Sequence, residues 1–407
     1  MRQSPRPVKN TPAIPYGRQS ISSSDIKSVV SVLKSKWLTQ GPAIPEFEAT
    51  LASFCGAKFA VAVSSGTAAL HLACRAAGLS RGDEAITTPL SFVATSNSVL
   101  FTGARPVFVD IDPNTLNIDA AEIERRITGK TKVILPVHFG GYSVNLKEIS
   151  RIAKKRNLIV IEDGCHALGG RYKIDSKWYR VGSCSHSKAC VFSFHPVKTM
   201  TTGEGGAITT NDESFYKMLV LLRTHGITKD PQKFQNPDMA FWYENHSKQV
   251  SPWYYEMQEL GFNYRITDFQ AALGLSQLHR VESWIKRRTK IAAFYDRAFA
   301  KLPGIVLRKN FPDSKPAHHI YILQLTSQAR LSRVKLFAEL LRRGIIPQVH
   351  YIPIHRQPYY QKLGYRKGDF PEVEKYYDQA LTLPLFPAMK DSEVRYVVQT
   401  VLELLGR

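Results

Sequence analysis

Several features are scarce in this sequence of 407 residues, and each scarcity excludes a class of protein. No run approaches the roughly 18 consecutive apolar residues that a membrane-spanning helix needs. The basic, proline-rich stretch 1–16 has no apolar segment of the kind that a secretory signal contains. The sequence therefore predicts a cytoplasmic protein that is not embedded in a membrane.

Cysteine and metal-ligand patterns are equally sparse. The five cysteines form no Cys-x-x-Cys pair and no spacing typical of secreted domains, which indicates reduced thiols. Cys184, His186 and Cys190 are close in sequence, but no fourth ligand follows at a suitable spacing. We therefore expect neither a disulfide framework nor a metal site.

Acidic residues are outnumbered, because the chain has 34 Asp and Glu against 55 Lys and Arg, a formal net charge of +21. A charge of this size is typical of nucleic-acid-binding proteins. Here, however, the basic residues are dispersed along the chain, and no recognised nucleic-acid-binding module is present. We therefore expect no nucleic-acid partner.

What the sequence does contain is an alternation of predicted strands and helices. Strands predicted at 105–110 and 133–137 alternate with helices predicted at 120–127 and 146–155, in the manner of βαβ units. This pattern predicts an α/β protein with a mostly parallel sheet and helices on both faces. The segment 225–258 lacks periodicity and is rich in aromatic residues, which predicts a packed loop and makes it a candidate for a subunit interface.

The predicted domain organisation has three parts. Residues 1–22 form an N-terminal arm, residues 23–275 a large domain and residues 276–407 a smaller domain. A single long or kinked helix over 267–299 is expected at the junction. The smaller domain again mixes strands and helices, with one strand predicted at 349–352.

Lys198 follows a predicted strand at 191–194 on a segment that cannot become helical. Pro196 interrupts the chain after the strand, and Gly203, Gly205 and Gly206 follow soon after the lysine. A lysine held on such a turn can form a Schiff base with a carbonyl group, and partial desolvation would lower its pKa toward neutrality. The alternative is an ordinary solvated surface lysine.

Two carboxylates follow an apolar run at 158–161, so they fall at the C-terminal end of a buried strand, where open α/β sheets bind ligands. Such a carboxylate suits pyridoxal 5'-phosphate (PLP), because a negative charge against its pyridine nitrogen keeps that nitrogen protonated. Asp163 is predicted for this contact, whereas Glu162 points to the other face of the sheet. The alternatives are a helix N-cap for Asp163 and an ordinary polar loop position for His166.

A third motif, Ser65-Gly66-Thr67-Ala68, joins a predicted strand to an alanine-rich helix. Free N–H groups and the positive end of the helix dipole make such a turn an anion site, which suits the phosphate of PLP. The same residue types are also ordinary helix-capping residues. The three motifs occur in the order phosphate turn, aspartate, lysine, and together they indicate a PLP site.

This order of motifs resembles that of the nucleotide-sugar aminotransferases of the DegT/DnrJ/EryC1/StrS family. The resemblance extends from Ile14 to the C-terminus and depends on four segments, 64–70, 162–169, 192–206 and 261–265. Because that family has aspartate aminotransferase fold type I, the resemblance implies a mostly parallel seven-stranded sheet with a smaller C-terminal α+β domain. It also implies that the protein is a PLP-dependent transaminase.

The resemblance implies roles for individual residues. Lys198 would bind PLP covalently and serve as the catalytic base, and Asp163 would contact the pyridine nitrogen. Phe92 would stack on the PLP ring, although a core phenylalanine is an equal alternative. His166 would lie near the ring oxygen, where many family members carry Gln, and Asn263 would reach a phosphate in the neighbouring subunit of a homodimer with shared active sites. The predicted PLP-binding residues are Ser65, Gly66, Thr67, Ala68, Phe92, Asp163, His166, Ser193, Lys198 and Asn263.

Three further segments, 14–18, 38–42 and 349–355, most resemble the UDP-4-keto-sugar C4 aminotransferases of pseudaminic acid biosynthesis. This resemblance implies amino transfer from L-glutamate to C4 of a UDP-linked 4-keto-6-deoxy-N-acetylhexosamine, which gives UDP-4-amino-4,6-dideoxy-N-acetyl-β-L-altrosamine. The basic chain would attract the UDP diphosphate. The residues predicted to contact the substrate are Tyr16, Lys36, Trp37, Leu38, Thr39, Gln348, Val349, His350 and Tyr351.

Three other activities are compatible with parts of this pattern. A C4 or C3 aminotransferase that acts on another UDP- or dTDP-linked keto sugar would carry much the same motifs. A PLP-dependent sugar dehydratase of the same fold has His in place of the Schiff-base lysine, so Lys198 argues against it. A non-catalytic PLP-binding regulatory protein would bind the cofactor without transferring an amino group.

Overall fold

The computed structural model describes residues 13–244, 246–309, 311 and 313–406. Most of the N-terminal arm predicted at 1–22 lies outside the described residues. The strands are β1 (Ile14–Pro15), β2 (Phe59–Val63), β3 (Glu84–Thr87), β4 (Arg105–Phe108), β5 (Thr131–Ile134), β6 (Ile159–Asp163), β7 (Arg171–Ile174), β8 (Lys177–Arg180), β9 (Ala189–Ser193), β10 (Gly206–Thr210), β11 (Ile227–Thr228), β12 (Phe241–Glu244), β13 (Ser247–Val250), β14 (Glu256–Met257), β15 (Ile305–Leu307), β16 (Ser314–Lys315), β17 (Tyr321–Leu325), β18 (Ile345–Ile346) and β19 (Ala380–Leu383). The helices are α1 (Ser23–Leu33), α2 (Ala43–Cys55), α3 (Gly66–Ala76), α4 (Ala94–Leu100), α5 (Ala120–Arg126), α6 (Leu146–Arg156), α7 (Glu213–Arg223), α8 (Pro237–Ala240), α9 (Asp268–Leu278), α10 (Val281–Phe299), α11 (Arg333–Arg342), α12 (Pro358–Lys362), α13 (Pro371–Gln379) and α14 (Asp391–Leu405). Short 3-10 turns lie at Phe139–Gly141, Pro231–Lys233 and Ile354–Arg356.

The large sheet of the described chain has seven strands in the order β2, β10, β9, β6, β5, β3, β4. Its neighbouring strands are parallel except for β10, which runs antiparallel to both β2 and β9. The predicted mostly parallel, seven-stranded sheet is therefore confirmed. Strands β6 and β9 carry nearly continuous apolar runs, because central strands of such a sheet are covered by helices on both faces.

Consecutive residues of the central strands point into two different cores. Val160 and Phe192 belong to the core on one face, and Ile161 and Val191 belong to the core on the other. Helices α2 and α6 contribute to the first core, and helices α3 and α7 contribute to the second. Because side chains alternate along a strand, the same periodicity directs the two carboxylates at the end of β6 to opposite faces.

The C-terminal part of the chain has its own sheet and its own core. Strands β15, β17 and β19 form an antiparallel sheet, and Tyr295, Leu340 and Val397 from α10, α11 and α14 are buried in the adjoining core. The start of the described chain joins this part, because β1 pairs in parallel with β18 and Ile14 is buried in the same core. The division into residues 23–275 and 276–407 stays a prediction.

Helix α1 is anchored to α9 by a buried carboxylate. Ser22 and Asp25 form a capping box at the start of α1. Asp25 is fully buried and accepts hydrogen bonds from Ser276 Oγ (2.7 Å), from Gln277 Nε2 (2.9 Å) and from Arg280. The N-terminal helix is therefore fixed beside the junction between α9 and α10.

The helix expected over 267–299, long or kinked, is interrupted at 279–280 and forms α9 and α10. Helix α9 packs against α1 and α2, whereas α10 begins in the first core with Trp284 and continues into the C-terminal core with Tyr295. The strand predicted at 349–352 is wrong, since the described segment there is irregular and pairs only at Gln348, which bridges to Thr382. Pro347 and Pro353 flank the segment and lack the N–H groups that a longer ladder needs.

The aromatic segment 225–258, predicted as a packed loop, contains short strands, and some of its aromatic side chains are exposed. It contains the antiparallel hairpin of β12 and β13 and the short pairing of β11 with β14. Tyr243 and Trp253 are 72% and 77% exposed, so these rings do not pack within the chain. Across the described ranges, no helix combines the length and the apolar character needed to cross a membrane.

Candidate active site

The C-terminal ends of the central strands open onto a cavity of about 440 Å³. Strand β6 ends there at Asp163, β9 ends there at Ser193, and α3 begins there after β2. The C-terminal part of the chain covers the opposite side. The central cavity, as this space is named below, is lined by Tyr16, Ser65, Gly66, Thr67, Leu70, Ser91, Phe92, Ala94, Thr95, Val137, Asp163, Cys165, His166, Ser193, His195, Val197, Lys198, Glu204, His319, His350 and Tyr351.

The first turn of α3 forms a cradle for an anion on one wall of the cavity. Ser65 caps the helix, because its Oγ accepts a hydrogen bond from the N–H of Ala68 (3.1 Å). A Cβ atom on Gly66 would lie 2.7 Å from Ser193 Cβ, so only glycine lets the helix start approach the end of β9. The free N–H groups of this first turn and the Ser193 hydroxyl are the donors that a phosphate accepts from.

Asp163 is held by hydrogen bonds that aim its carboxylate into the cavity. Its Oδ2 accepts a hydrogen bond from Thr95 Oγ1 (2.7 Å), and its Oδ1 accepts one from the N–H of Cys165 (3.1 Å). The side chain is only 4% exposed. Donors on both oxygens fix the carboxylate at the end of β6, where it lines the cavity.

Glu162 points to the opposite face, as the strand periodicity predicts. It is fully buried, and its carboxylate accepts hydrogen bonds from His138 Nε2 (2.7 Å) and from Ser187 Oγ. The N–H of Val144 donates to His138 Nδ1 (3.2 Å), which leaves the ring proton on Nε2 for Glu162. These contacts keep Glu162 away from the central cavity.

Lys198 lies on the turn that follows β9. Its N–H donates to the carbonyl oxygen of His195 (2.9 Å), and its side chain reaches the central cavity. Burial lowers the pKa of Lys198 because desolvation disfavours the charged ammonium, although nearby Cys165 and Asp163 act in the opposite direction. A lower pKa increases the fraction of neutral amine, which is the nucleophilic form.

His166 stands beside Tyr351 in a defined tautomer. Burial lowers the pKa of His166 well below its usual value, with Lys198 as a further cause, so the imidazole is neutral. The N–H of Gly140 donates to Nδ1 (3.3 Å), so the ring proton is on Nε2 and is donated to Tyr351 Oη (3.0 Å).

Some of the predicted substrate-contacting residues line the central cavity and others do not. The ring of Tyr16 lies 5.1 Å from that of His350, and both line the cavity together with Tyr351. Trp37 and Leu38 are exposed at 55% and 48%, respectively. The predicted substrate-contacting residues that lie outside the cavity are Lys36, Trp37, Leu38, Thr39, Gln348 and Val349. Their role stays a prediction.

Of the remaining predicted PLP-binding residues, one lines the cavity and one does not. Phe92 lines the cavity, is 57% exposed and lies 6.0 Å from the Tyr351 ring. Asn263 is exposed beside Thr224 and does not line the cavity. Sequence reasoning missed Ser91, Thr95 and His319, which line the cavity, because none of them belongs to a motif that predicts the site.

The residues around the cavity fit PLP. The turn at 65–68 with Ser193 supplies donors for a phosphate, Asp163 supplies a fixed carboxylate, and Lys198 supplies an amine of lowered pKa. Phe92 supplies an aromatic surface at the same cavity. Among residues 13–406 as described, no group of three or more His, Cys, Asp or Glu side chains is placed to hold a metal ion.

Comparison with known proteins agrees with this geometry. Residues 19–402 match the DegT/DnrJ/EryC1/StrS aminotransferase family, and the chain belongs to that family. It is 41% identical over 395 residues to the spore coat polysaccharide biosynthesis protein SpsC of Bacillus subtilis, covering 96% of this chain and 97% of SpsC. It is 36% identical over 399 residues to the UDP-4-amino-4,6-dideoxy-N-acetyl-β-L-altrosamine transaminase of Campylobacter jejuni, covering 97% of this chain and 98% of the transaminase.

Solved structures agree as well. PseC of Helicobacter pylori, an aminotransferase involved in the biosynthesis of pseudoaminic acid, matches with a TM-score of 0.84 and 32% identity, covering 97% of this chain and 99% of PseC. Spr1654 of Streptococcus pneumoniae, solved in its PMP and PLP forms, matches in the PMP form with a TM-score of 0.85 and 31% identity over 96% of this chain and 97% of Spr1654. The protein is therefore a PLP-dependent sugar aminotransferase with the fold of these enzymes.

Proposed function

We propose that this aminotransferase transfers the amino group of L-glutamate to C4 of a UDP-linked 4-keto-6-deoxy-N-acetylhexosamine and forms UDP-4-amino-4,6-dideoxy-N-acetyl-β-L-altrosamine. The observation that carries the proposal is the wall of Tyr16, His350 and Tyr351 on the cavity that Lys198 also lines. These residues belong to the segments that resemble the pseudaminic-pathway enzymes. Similarity to the Campylobacter jejuni transaminase along 97% of this chain supports the same substrate.

The residues around the cavity have separate tasks in this proposal. PLP, when bound, supplies an electron sink for amino transfer. Lys198 Nζ would hold the cofactor covalently and, as a free amine, would take up and return a proton as the catalytic base. Asp163 would keep the pyridine nitrogen protonated, the turn at 65–68 with Ser193 would bind the phosphate, and Phe92 would offer an aromatic surface to the ring.

Discrimination between sugars would come from the aromatic wall and its few polar groups. Burial lowers the pKa of His350 to about 3, with Lys198 as a further cause, so its imidazole is neutral. His350 Nδ1 is hydrogen-bonded to Thr382 Oγ1 (2.9 Å), which fixes the ring. A sugar whose polar groups do not meet those of this wall would leave buried polar groups unpaired, at a cost of about 1–3 kcal/mol each, and inversion at C5 would turn the methyl group to the other side of the ring.

The proposal also includes a homodimer, located in the cytoplasm, in which Asn263 acts at the neighbouring active site. Asn263 is exposed and far enough from the cavity not to line it. The exposed rings of Tyr243 and Trp253 offer a surface that a second copy would cover. A second candidate function is transfer to C4 or C3 of another UDP- or dTDP-linked keto sugar, because the chain is more similar to SpsC (41% identity), a protein of spore coat polysaccharide biosynthesis, than to the altrosamine transaminase (36%).

The test compares two epimeric UDP-linked 4-keto sugars with L-glutamate as the donor. The proposal predicts a higher kcat/KM for the β-L-arabino epimer than for the D-xylo epimer, because the two differ in configuration at C5 and an enclosed cavity would accept the C5 methyl group on only one side of the sugar ring. A panel of dTDP-linked keto sugars serves as the comparison for the second candidate. Equal kcat/KM for the two epimers, or a preference for the D-xylo epimer, would contradict the proposed substrate.

A further inference from the structure

His319 is a rigidly held side chain of the central cavity to which neither the sequence motifs nor the proposed function gives a task. It lies just before β17, and its backbone is fixed at both ends. Its N–H donates to the carbonyl oxygen of Gly140 (3.0 Å), and its own carbonyl oxygen accepts from Arg288 Nη1 (3.1 Å). Its ring lies against that of His166 in a tilted arrangement, with the centroids 4.4 Å apart and the ring planes at 34°, and the residue is 4% exposed.

Both ring nitrogens of His319 lack a protein partner. No hydrogen bond joins either nitrogen to another residue of the described chain, and Nδ1 is buried out of reach of solvent. Burial lowers the pKa of His319 well below its usual value, with His166 and Lys198 as further causes, so the ring is neutral and carries a single N–H. Because Nδ1 is enclosed, Nε2 is the nitrogen that can reach a molecule in the cavity.

The Tyr351 hydroxyl, on the same wall of the cavity, is another polar group without a second partner in the part of the chain that the structure describes. His166 gives its ring proton to Tyr351 Oη, so the proton of the Tyr351 hydroxyl is free to be donated elsewhere. Among the described residues no acceptor for that proton is found, and Tyr351 lines the cavity. The neighbouring side chains of His319, His166 and Tyr351 therefore present to the cavity one hydroxyl donor and one ring nitrogen without a protein partner, and buried polar groups are usually hydrogen-bonded.

We propose that His319 is a substrate-contacting residue whose Nε2–H donates a hydrogen bond to an acceptor oxygen of the bound reactant. The acceptor is either a carboxylate oxygen of the amino donor or an oxygen of the keto sugar, since both reactants visit the same cavity in turn. This inference rests on the proposed function, because it assigns a contact to the reactants of that reaction. Tyr351 donates to the same or a neighbouring oxygen, so the pair favours reactants with acceptor oxygens on this side.

Two substitutions at His319 separate hydrogen bonding from packing. His319→Phe keeps a flat ring against His166 but removes the donor, whereas His319→Gln keeps a donor on a smaller side chain. The matched control is His71→Phe, because His71 is also buried (6% exposed) with an unpartnered Nε2, but it does not line the central cavity. All three variants and the wild-type protein are loaded with PLP and compared on the same reactants.

The readouts are the two half-reactions, followed by absorbance in single turnovers, and the binding of glutarate to the PLP-loaded protein by calorimetry. Glutarate offers the donor carboxylates without an amino group. We expect His319→Phe to slow one half-reaction by roughly tenfold or more, while His319→Gln and His71→Phe stay within about threefold of wild type. A slower glutamate half-reaction with weaker glutarate binding identifies the donor carboxylate, and a slower keto-sugar half-reaction with unchanged glutarate binding identifies the sugar oxygen.

The inference is overturned if His319→Phe matches wild type in both half-reactions and in glutarate binding. It is also overturned if His319→Gln is as impaired as His319→Phe, since the ring would then matter through packing alone. If the proposed sugar is wrong, the wild-type protein will not prefer the β-L-arabino epimer. If the proposed contact is wrong, His319→Phe and the wild-type protein will react with the same reactant at equal rates. The two failures are therefore distinguishable.

Discussion

The Asp163 carboxylate is oriented by hydrogen bonds whose donors can be assigned. Thr95 gives its only hydroxyl proton to Asp163 Oδ2, so the hydrogen bond between Ser91 Oγ and Thr95 Oγ1 (2.7 Å) has Ser91 as the donor. The N–H of Cys165 holds the other carboxylate oxygen. The donors on its two oxygens hold the Asp163 carboxylate in one orientation at the wall of the cavity.

Asp163→Asn should therefore fold and still bind PLP through Lys198, but amino transfer should slow by about three orders of magnitude, because an amide cannot keep the pyridine nitrogen charged. The measurement is kcat/KM with glutamate, alongside the far-ultraviolet circular dichroism of the variant. Thr95→Ser, which keeps the hydroxyl donor, is the control. Activity of Asp163→Asn within about tenfold of wild type would place the partner of the pyridine nitrogen elsewhere.

The same residues show what the sequence could and could not predict. The apolar run before Glu162 and Asp163 predicts a buried strand, and period-two alternation predicts that the two carboxylates face opposite ways. Thr95 could not be predicted as the partner of Asp163, because the two are 68 positions apart and only the sheet topology brings them together. His319 was missed for the same reason, since its neighbour His166 belongs to a distant segment.

Among the secondary-structure elements, α1 is held mainly by polar contacts to α9. Buried residues of α1 are limited to Asp25, so this helix contributes little apolar area to a core. Burial raises the pKa of Asp25, but hydrogen bonds from Ser276, Ser22 and Arg280 outweigh that effect and lower the pKa below its usual value. The carboxylate therefore stabilises the folded state above its ordinary pKa, and that contribution is lost as the pH falls through the lowered value.

Asp25→Ala should reduce the free energy of unfolding by about 3 kcal/mol near neutral pH, because Arg280 and Gln277 lose their buried acceptor. Urea denaturation at pH 7 measures this loss, and repetition in acid should show a smaller difference between variant and wild type. Lys27→Ala is the control, since Lys27 is an exposed residue of the same helix. A difference below about 1 kcal/mol at pH 7, or one that grows in acid, would contradict the assigned role of Asp25.

Elements with strong periodicity were predicted well, and irregular ones were not. The helices predicted at 120–127 and 146–155 are observed as α5 (Ala120–Arg126) and α6 (Leu146–Arg156). The segment 349–352 reads as a strand because its residues favour β-structure, yet Pro347 and Pro353 prevent a ladder and the chain turns into the cavity wall. The hairpin of β12 and β13 has no buried apolar face within the chain, so its sequence has no apolar periodicity from which the strands could be predicted.

At the scale of the whole molecule, the cavity lies where the two ends of the chain meet. Strand β1 pairs with β18, and the N–H of Leu385 donates to the carbonyl oxygen of Tyr16 (3.0 Å). These contacts place Tyr16 against His350 on the wall of the cavity that Lys198 also lines. The family fold was predictable from motifs along the chain, but this closure was not, because it depends on pairing between segments more than 300 residues apart.

The identity of the lysine that carries the cofactor tests the account most directly. PLP-loaded protein is reduced with borohydride, digested, and mapped by mass spectrometry, with Lys198→Ala as the control. The account predicts a pyridoxyl label on Lys198 alone and no such label in Lys198→Ala, which should fold and have no transaminase activity, because Lys198 supplies both the covalent attachment and the catalytic base. A label on any other lysine, or transaminase activity in Lys198→Ala, would contradict it.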